Sequence, residues 1–482
     1  MDGTRVLDAV ERALIPRVAL QQDRPTRERL EATLPGIEEA LSPRVLRRTL
    51  AKLRAIADAR IGEVEAGYHA RTVAGWYAHA SLPERRDCWL LMSEQFAPDP
   101  DLLGEVPRLC RDALEGDATT IAEIRLRRAL RSPRKRLLQR FANLPEGLSF
   151  LVTLRAELLA HLEEDSRLLA LDAELEGLFR TWFDVAFLEL RRLSWDSPAS
   201  LIEKLIRYEA VHEIRSWADA RNRLGSHRRC YGFFHAGLAE EPLIFVEVAL
   251  TERIADAIAP LLDEGAVSDP SRATTAVFYS ITSTQAGLRG VAFGDTLIKR
   301  VVESIRREFP RIDTFATLSP MPGFRRWFGE RAAALVAELE PAQRAGLCRE
   351  LGGALAPETF VAALQRPQDL APRSAVRGFL LACAARYLSA CQRDGKPVDG
   401  VARFHLGNGA RLERINWAAD LSPKGLEQSF GMMVNYLYDP RRIDRHRLML
   451  AAGRVPASGA VAKLLRRGRT ASRPALPAPE AG

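Results

Sequence analysis

Hydrophobic positions divide this chain into two textures. Through about residue 180, apolar residues recur at three- and four-residue steps, the spacing of one buried helical face. In PEGLSFLVTLRAELLAHLEEDSRLL, Leu151, Leu154, Leu158 and Leu162 form one such stripe, with Pro145 and Gly147 marking the turn before it. SPRKRLLQRF opens with Ser132 as an N-cap and Pro133 at the first helical position. The spacing predicts an all-helical packing or assembly domain over residues 1–182, with no fixed-period repeat and no catalytic cluster.

Beyond about residue 185 the pattern changes. RRCYGFFH (228–235) and PLIFVEVAL (242–250) are aromatic and β-branched runs joined by a short turn, and TTAVFYSI (274–281) is a third strand of the buried type. The glycine-dotted stretch TSTQAGLRGVAFGD then runs into a helix with Leu297, Ile298, Val301, Val302 and Ile305 inward, and RIDTFATLSP (311–320) is the next strand. Residues 329–399 return to helical periodicity. The prediction is an α+β, multidomain chain: a helical domain, then a mixed α/β domain over 183–455 with a helical insertion around 329–399. The basic, Pro- and Ala-rich residues 456–482 are expected to form a disordered tail.

Composition narrows the class. At 482 residues the chain exceeds one compact core, and 47% hydrophobic with 27% charged residues describes a globular protein. No apolar run reaches membrane-spanning length, and MDGTRVLDAVERAL resembles neither a secretory signal nor a transit peptide. A cytoplasmic protein is the expectation. The six cysteines form no CxxC pair and the eight histidines no HxxxH or HExxH, so neither a metal site nor a disulfide framework is expected. Of the net charge of +8, residues from Arg454 onward supply six basic groups and one acid. The body is therefore only mildly basic, which suits a small polyanion and gives no reason to expect nucleic acid.

Three stretches could carry chemistry. In RGVAFGDTLI (289–298), Gly290, Ala292 and Gly294 let the backbone approach a ligand at the start of a helix. Free N–H groups and the helix dipole there favour a phosphate, although such turns also occur for structural reasons alone. In TLSPMPGFRRW (317–327), Pro320 and Pro322 stiffen the backbone around Ser319. That arrangement fits either an ordinary turn or a hydroxyl aimed into a cleft. His405, in FHLGNGA, lies in what reads as a Gly- and Asn-containing loop, and histidine titrates near neutrality. The histidines His69, His79, His161, His212, His227 and His235 are assigned no chemistry, and Trp327 and Trp417 are read as packing residues.

With Arg289, Ala292 and Gly294, RGVAFGDTLI resembles the R/Q-x-x-G-x-G/A pyrophosphate loop of GNAT acyltransferases, except that Ala292 stands where that pattern usually has its first glycine. FHLGNGARLERINWAADLSPKGLEQSFGMMVNYLY (404–438), with RRCYGFFH, FYSITSTQAGLRGV, IKRVVESIRREFP and LSPMPGF, is similar to malonyl-CoA decarboxylases over about residues 205–438. The resemblance implies a GNAT-like catalytic domain and conversion of malonyl-CoA to acetyl-CoA and CO2. It implies that Ser319 holds the malonyl carboxylate or its neighbouring carbonyl and that His405 is the acid/base. Ser280 and Tyr438 would be supporting polar residues, unless they are core hydrogen-bonders. Gln285, Gly287, Arg289, Gly290, Val291, Ala292, Gly294 and Asp295 would hold the CoA phosphates. No separate cofactor is implied, since CoA is part of the substrate, and a homo-oligomer is expected. Some members of the family carry a glutamate where this chain has Ala292, so a role for that acid would fall to another carboxylate such as Asp295. Two other classes fit parts of the pattern. A GNAT-type N-acyltransferase would need an amine acceptor, and a non-catalytic acyl-CoA sensor would bind without turnover.

Overall fold

The computed structural model describes Leu30 and residues 40–115, 119–238, 240–265, 269–291, 296–353, 355–392 and 395–467. They form two compact units. The first takes the described chain up to Leu188 together with the short segments 235–241 and 285–292. This differs from the sequence expectation, which kept 183–455 in one continuous domain.

Among the described residues, eight α-helices lie between Pro43 and Trp182 in the first unit. On the helix Gly147–Leu159, Leu151, Leu154 and Leu158 are completely buried. The helix ends before Leu162, so the stripe is one turn shorter than its spacing suggests. Gly147 is required by close approach, because a Cβ there would stand 2.0 Å from the Phe141 carbonyl oxygen. Ser132 accepts the Arg134 N–H at 3.1 Å, and the helix it leads into begins at Arg134, one residue later than expected. Arg155, 2% exposed, anchors the returning segment. Its Nε meets Asp172 at 2.7 Å, and its Nη1 donates to the carbonyls of Gly287 and Arg289 at 2.8 Å each. Gly287 lies so close to this helix that a Cβ would sit 2.0 Å from the Val152 carbonyl oxygen.

The second unit is mixed α/β. Its strands are β1 (Leu188–Leu193), β2 (Arg228–His235), β3 (Pro242–Thr251), β4 (Thr275–Ser283), β5 (Thr314–Thr317), β6 (Ser319–Pro320), β7 (Arg411–Asn416) and β8 (Met433–Tyr438). They run in the order β1-β2-β3-β4-β5-β8-β6, with β7 added on β8. Pairing is antiparallel for β2–β3, β3–β4, β5–β8, β6–β8 and β7–β8, and parallel for β4–β5. The aromatic and β-branched texture of β2 and β3 suits burial along nearly their whole length, with Arg228, Arg229 and Glu247 buried among the apolar residues. Leu297, Ile298, Val301, Val302 and Ile305 are buried on the helix Thr296–Glu308, as their spacing predicts. Helices at 324–337, 341–351, 357–363 and 375–389 fill the expected insertion. Among the described residues, no helix is long and apolar enough to cross a membrane. The tail expectation needs a correction. Gly459–Arg467 is a helix, seated by the buried Val461 and started by Ser458, which accepts the Val461 N–H at 3.2 Å. Residues 468–482 lie outside the described residues.

Two irregularities of the sheet set the surroundings of Ser280 and Ser319. Glu247 pairs with Ser280 while Val248 pairs with Phe278, leaving Tyr279 as a bulge on β4. The β4–β5 pairing then ends at Phe278 and Thr317, although β4 continues to Ser283 and the neighbouring strand to Pro320. The two strands part there.

Candidate active site

β5 and β6 share one antiparallel register on β8, with Phe315 opposite Tyr438 and Ser319 opposite Val434. Carried across the gap, that register sets Thr317 opposite Tyr436. At this point side chains replace the backbone ladder. The Tyr436 N–H donates to Thr317 Oγ1 at 3.1 Å, and the Thr317 carbonyl accepts from Asn435 Nδ2 at 2.7 Å. Ser319, two residues on, is 6% exposed, and its hydroxyl donates to Thr317 Oγ1 at 2.9 Å.

The structure places His405 on a helix, Gly400–Gly407, and not in the loop its neighbours suggest. Asp399 supplies the N-cap by accepting the Ala402 N–H at 2.7 Å, and Tyr387 Oη donates to the same carboxylate at 2.8 Å. Gly409, at φ +83°, turns the chain just beyond the helix. The G-N-G run therefore stops a helix that begins earlier.

His405 Nδ1 lies 2.8 Å from Tyr438 Oη and Nε2 lies 3.2 Å from Ser319 Oγ. Its ring stacks on Tyr436 with centroids 4.6 Å apart. Burial lowers the imidazole pKa to about 3 and raises that of the Tyr438 phenol. The resting site thus holds an uncharged imidazole between a neutral phenol and a serine hydroxyl. Such a ring carries one proton that it can present or relay, and any anion brought beside it would draw it toward the charged form.

Ser280 makes its bonds elsewhere. Past the bulge, its hydroxyl lies 2.9 and 2.8 Å from the two carboxylate oxygens of Glu209, which also accepts Thr282 Oγ1 at 3.1 Å and the N–H groups of Val211 and His212 at 2.8 Å each. Burial and the Glu209 charge push the neighbouring Glu247 up to about 7 even though Arg223 lies 3.2 Å away. Among the described residues, no hydrogen bond joins this group to His405. The structure therefore brings Ser319, His405 and Tyr438 together and leaves Ser280 bonded to Glu209.

Of the expected phosphate loop, Gln285, Gly287, Arg289, Gly290 and Val291 are described, and Ala292, Gly294 and Asp295 lie outside the described residues. Gly287 and Val291 are buried, while Arg289 and Gly290 are exposed, with Gly290 at φ +81°. Trp417 donates Nε1 to the Pro367 carbonyl at 2.8 Å and Trp327 packs on Tyr387 at 5.4 Å, both structural contacts. Sequence reasoning missed Thr317, Tyr436 and Glu209. Two-residue periodicity could have found the first two, since each precedes a selected residue by two on a strand. Glu209 gives no local signal.

Comparison with known proteins decides the family. Residues 186–474 match the model of the malonyl-CoA decarboxylase C-terminal domain, and residues 96–183 match that of the N-terminal domain. The chain belongs to the malonyl-CoA decarboxylase family. Its reaction is that of a carbon–carbon lyase, taking malonyl-CoA to acetyl-CoA and CO2. It is 36% identical over 340 residues to the mitochondrial malonyl-CoA decarboxylase of Anser anser anser, covering 67% of each chain. To the mitochondrial enzyme of Rattus norvegicus it is 35% identical over 384 residues, covering 74% of this chain and 77% of the relative. The solved malonyl-CoA decarboxylase of Cupriavidus metallidurans superposes with a TM-score of 0.71 at 42% identity, covering 88% of this chain and 100% of the other. The match bears out the helical domain followed by a mixed α/β domain. One expectation falls: the goose and rat relatives are named mitochondrial, which overturns the cytoplasmic assignment.

Proposed function

We propose that Ser319, His405 and Tyr438 perform the decarboxylation and that segment 285–295 holds the CoA phosphates in a GNAT-like domain. The observation that carries this reading is the buried chain of contacts from Tyr438 through His405 to Ser319, at 2.8 and 3.2 Å. The end of the β4–β5 pairing at Phe278 and Thr317 supports the GNAT-like assignment, because an extended acyl-CoA arm can pair where two strands separate. The exposed, left-handed Gly290 and its anchored neighbours support the phosphate loop.

The chemistry follows from the site. The Ser319 hydroxyl turns from its resting Thr317 contact to hold the malonyl carboxylate or its neighbouring carbonyl, beside the neutral His405 imidazole. The C–C bond breaks, its electron pair enters the thioester enolate, and CO2 leaves. The His405 ring then gives its proton to the enolate carbon while its other nitrogen takes the proton of Tyr438, and a solvent proton resets the pair. Each preorganised donor at the developing oxyanion is worth roughly 3–4 kcal/mol. The thioester is itself the electron sink, so the step requires no further cofactor. Ser280, on the strand that parts from Ser319, is assigned a supporting role through its hydroxyl. We also infer a homo-oligomer, supported by Leu102, Leu103, Ile121 and Ile124, which stand exposed on the helices Pro100–Glu115 and Thr119–Ala129.

The test is acetyl-CoA formation from malonyl-CoA without added metal or acceptor. His405→Gln should lose roughly a hundred- to ten-thousandfold in kcat, and Ser319→Ala should also lose kcat, while both still bind CoA. Wild-type turnover in either variant would remove that residue from the site.

A further inference from the structure

We propose that Thr317 is a positioning residue for this reaction: by accepting the Ser319 proton, it obliges His405 to carry its own proton on Nε2. The inference rests on the site assignment above and adds a direction to it. Thr317 Oγ1 is fixed from two sides, by the Tyr436 backbone N–H at 3.1 Å and by the Ser319 hydroxyl at 2.9 Å. Serine has one proton to donate, and once it points at Thr317 it is not available to His405. The 3.2 Å contact between His405 Nε2 and Ser319 Oγ is then a donation from the ring. A neutral imidazole carries one N–H, so Nδ1 is left as the acceptor of the Tyr438 hydroxyl at 2.8 Å. Before substrate arrives, every proton in the chain points the same way: Tyr438 to His405, His405 to Ser319, Ser319 to Thr317.

Thr317 is suited to this role. It is completely buried, and its carbonyl is held by Asn435 Nδ2 at 2.7 Å, so its hydroxyl sits on rigid backbone. It stands where the β5–β8 ladder would run and spends its side chain on a bond that a carbonyl would otherwise make. Without that acceptor, Ser319 would turn its proton onto His405 Nε2. The ring would shift its proton to Nδ1 and present a bare lone pair to the substrate. A ring in the wrong tautomer cannot deliver a proton from the nitrogen that faces the reaction.

The test pairs kinetics with nitrogen-15 NMR of histidine-labelled full-length protein, the His405 signal being identified by its loss in His405→Gln. The expected wild-type signal is that of an Nε2-protonated ring. Thr317→Val should move the ring toward the Nδ1-protonated form and lower kcat roughly ten- to hundredfold with KM nearly unchanged, and Thr317→Ser should restore both. In a Ser319→Ala background, Thr317→Val should cause no further loss of kcat. An Nδ1-protonated His405 in the wild type overturns the inference without recourse to any variant. An unshifted tautomer in Thr317→Val, or an equal loss with and without Ser319, overturns it as well. Full activity in Ser319→Ala would instead overturn the site assignment, and this inference with it.

Discussion

His405 is held neutral by its surroundings, and that has a consequence away from catalysis. Burial lowers its pKa from 6.5 to about 3, and that of His212 from 6.5 to about 4. Between these values and 6.5 the unfolded chain binds protons that the native chain refuses. Stability from these groups is therefore fully present above about pH 6.5 and is lost as the pH falls. Each contributes a slope of up to about 1.4 kcal/mol per pH unit. Glu247 is shifted upward and acts in the opposite sense, so the useful quantity is a difference between variants. The urea midpoint of the wild type should fall more steeply from pH 6.5 to 4.5 than that of His405→Gln. Parallel curves would mean that the native ring accepts a proton freely.

At the scale of elements, the helix Gly400–Gly407 depends on few interactions for its importance. It has only two turns, too short to persist on propensity. Asp399 starts it and is buried under the Tyr387 hydroxyl. Asp399→Ala removes the cap and orphans that phenol, a loss of about 2 kcal/mol in urea unfolding. Because the helix carries His405, kcat should fall along with stability, and an unchanged midpoint would show the cap to be dispensable. This element also marks where sequence reading stops. The strands and the helix after the glycine loop were legible because their signals are periodic and local. FHLGNGA instead carries its visible signal at the helix end, in the glycines, while the start rests on one aspartate well beyond the preceding helix, which ends at Ser389. Ser319, His405 and Tyr438 were legible through resemblance. Thr317 was not, because its bond to the Tyr436 N–H spans 119 residues and leaves no local pattern. The same holds for Glu209, bonded to Ser280 across 71 residues.

At the scale of the whole molecule, the two units are not two consecutive stretches of chain. Segments 235–241 and 285–292 belong to the helical unit although strands of the second unit precede and follow them. His235 packs on Phe183 with ring centroids 5.0 Å apart, and Arg155 bonds to the carbonyls of Gly287 and Arg289. A fragment ending at Leu188 would keep every described α-helix of that unit but leave the buried Arg155 guanidinium short of two acceptors. It should melt at lower temperature than the same helices in the full chain, with faster amide hydrogen exchange along Gly147–Leu159. Equal protection would show that the returning segments add nothing. The arrangement also sets a timetable. As the chain leaves the ribosome, the helices emerge first, yet Arg155 must wait until Arg289 has been made before its contacts are complete. By then β2, β3 and β4 are already outside. The first unit to be synthesised is finished only after strands of the second have emerged, and the sheet, still lacking β5, β6, β7 and β8, closes later.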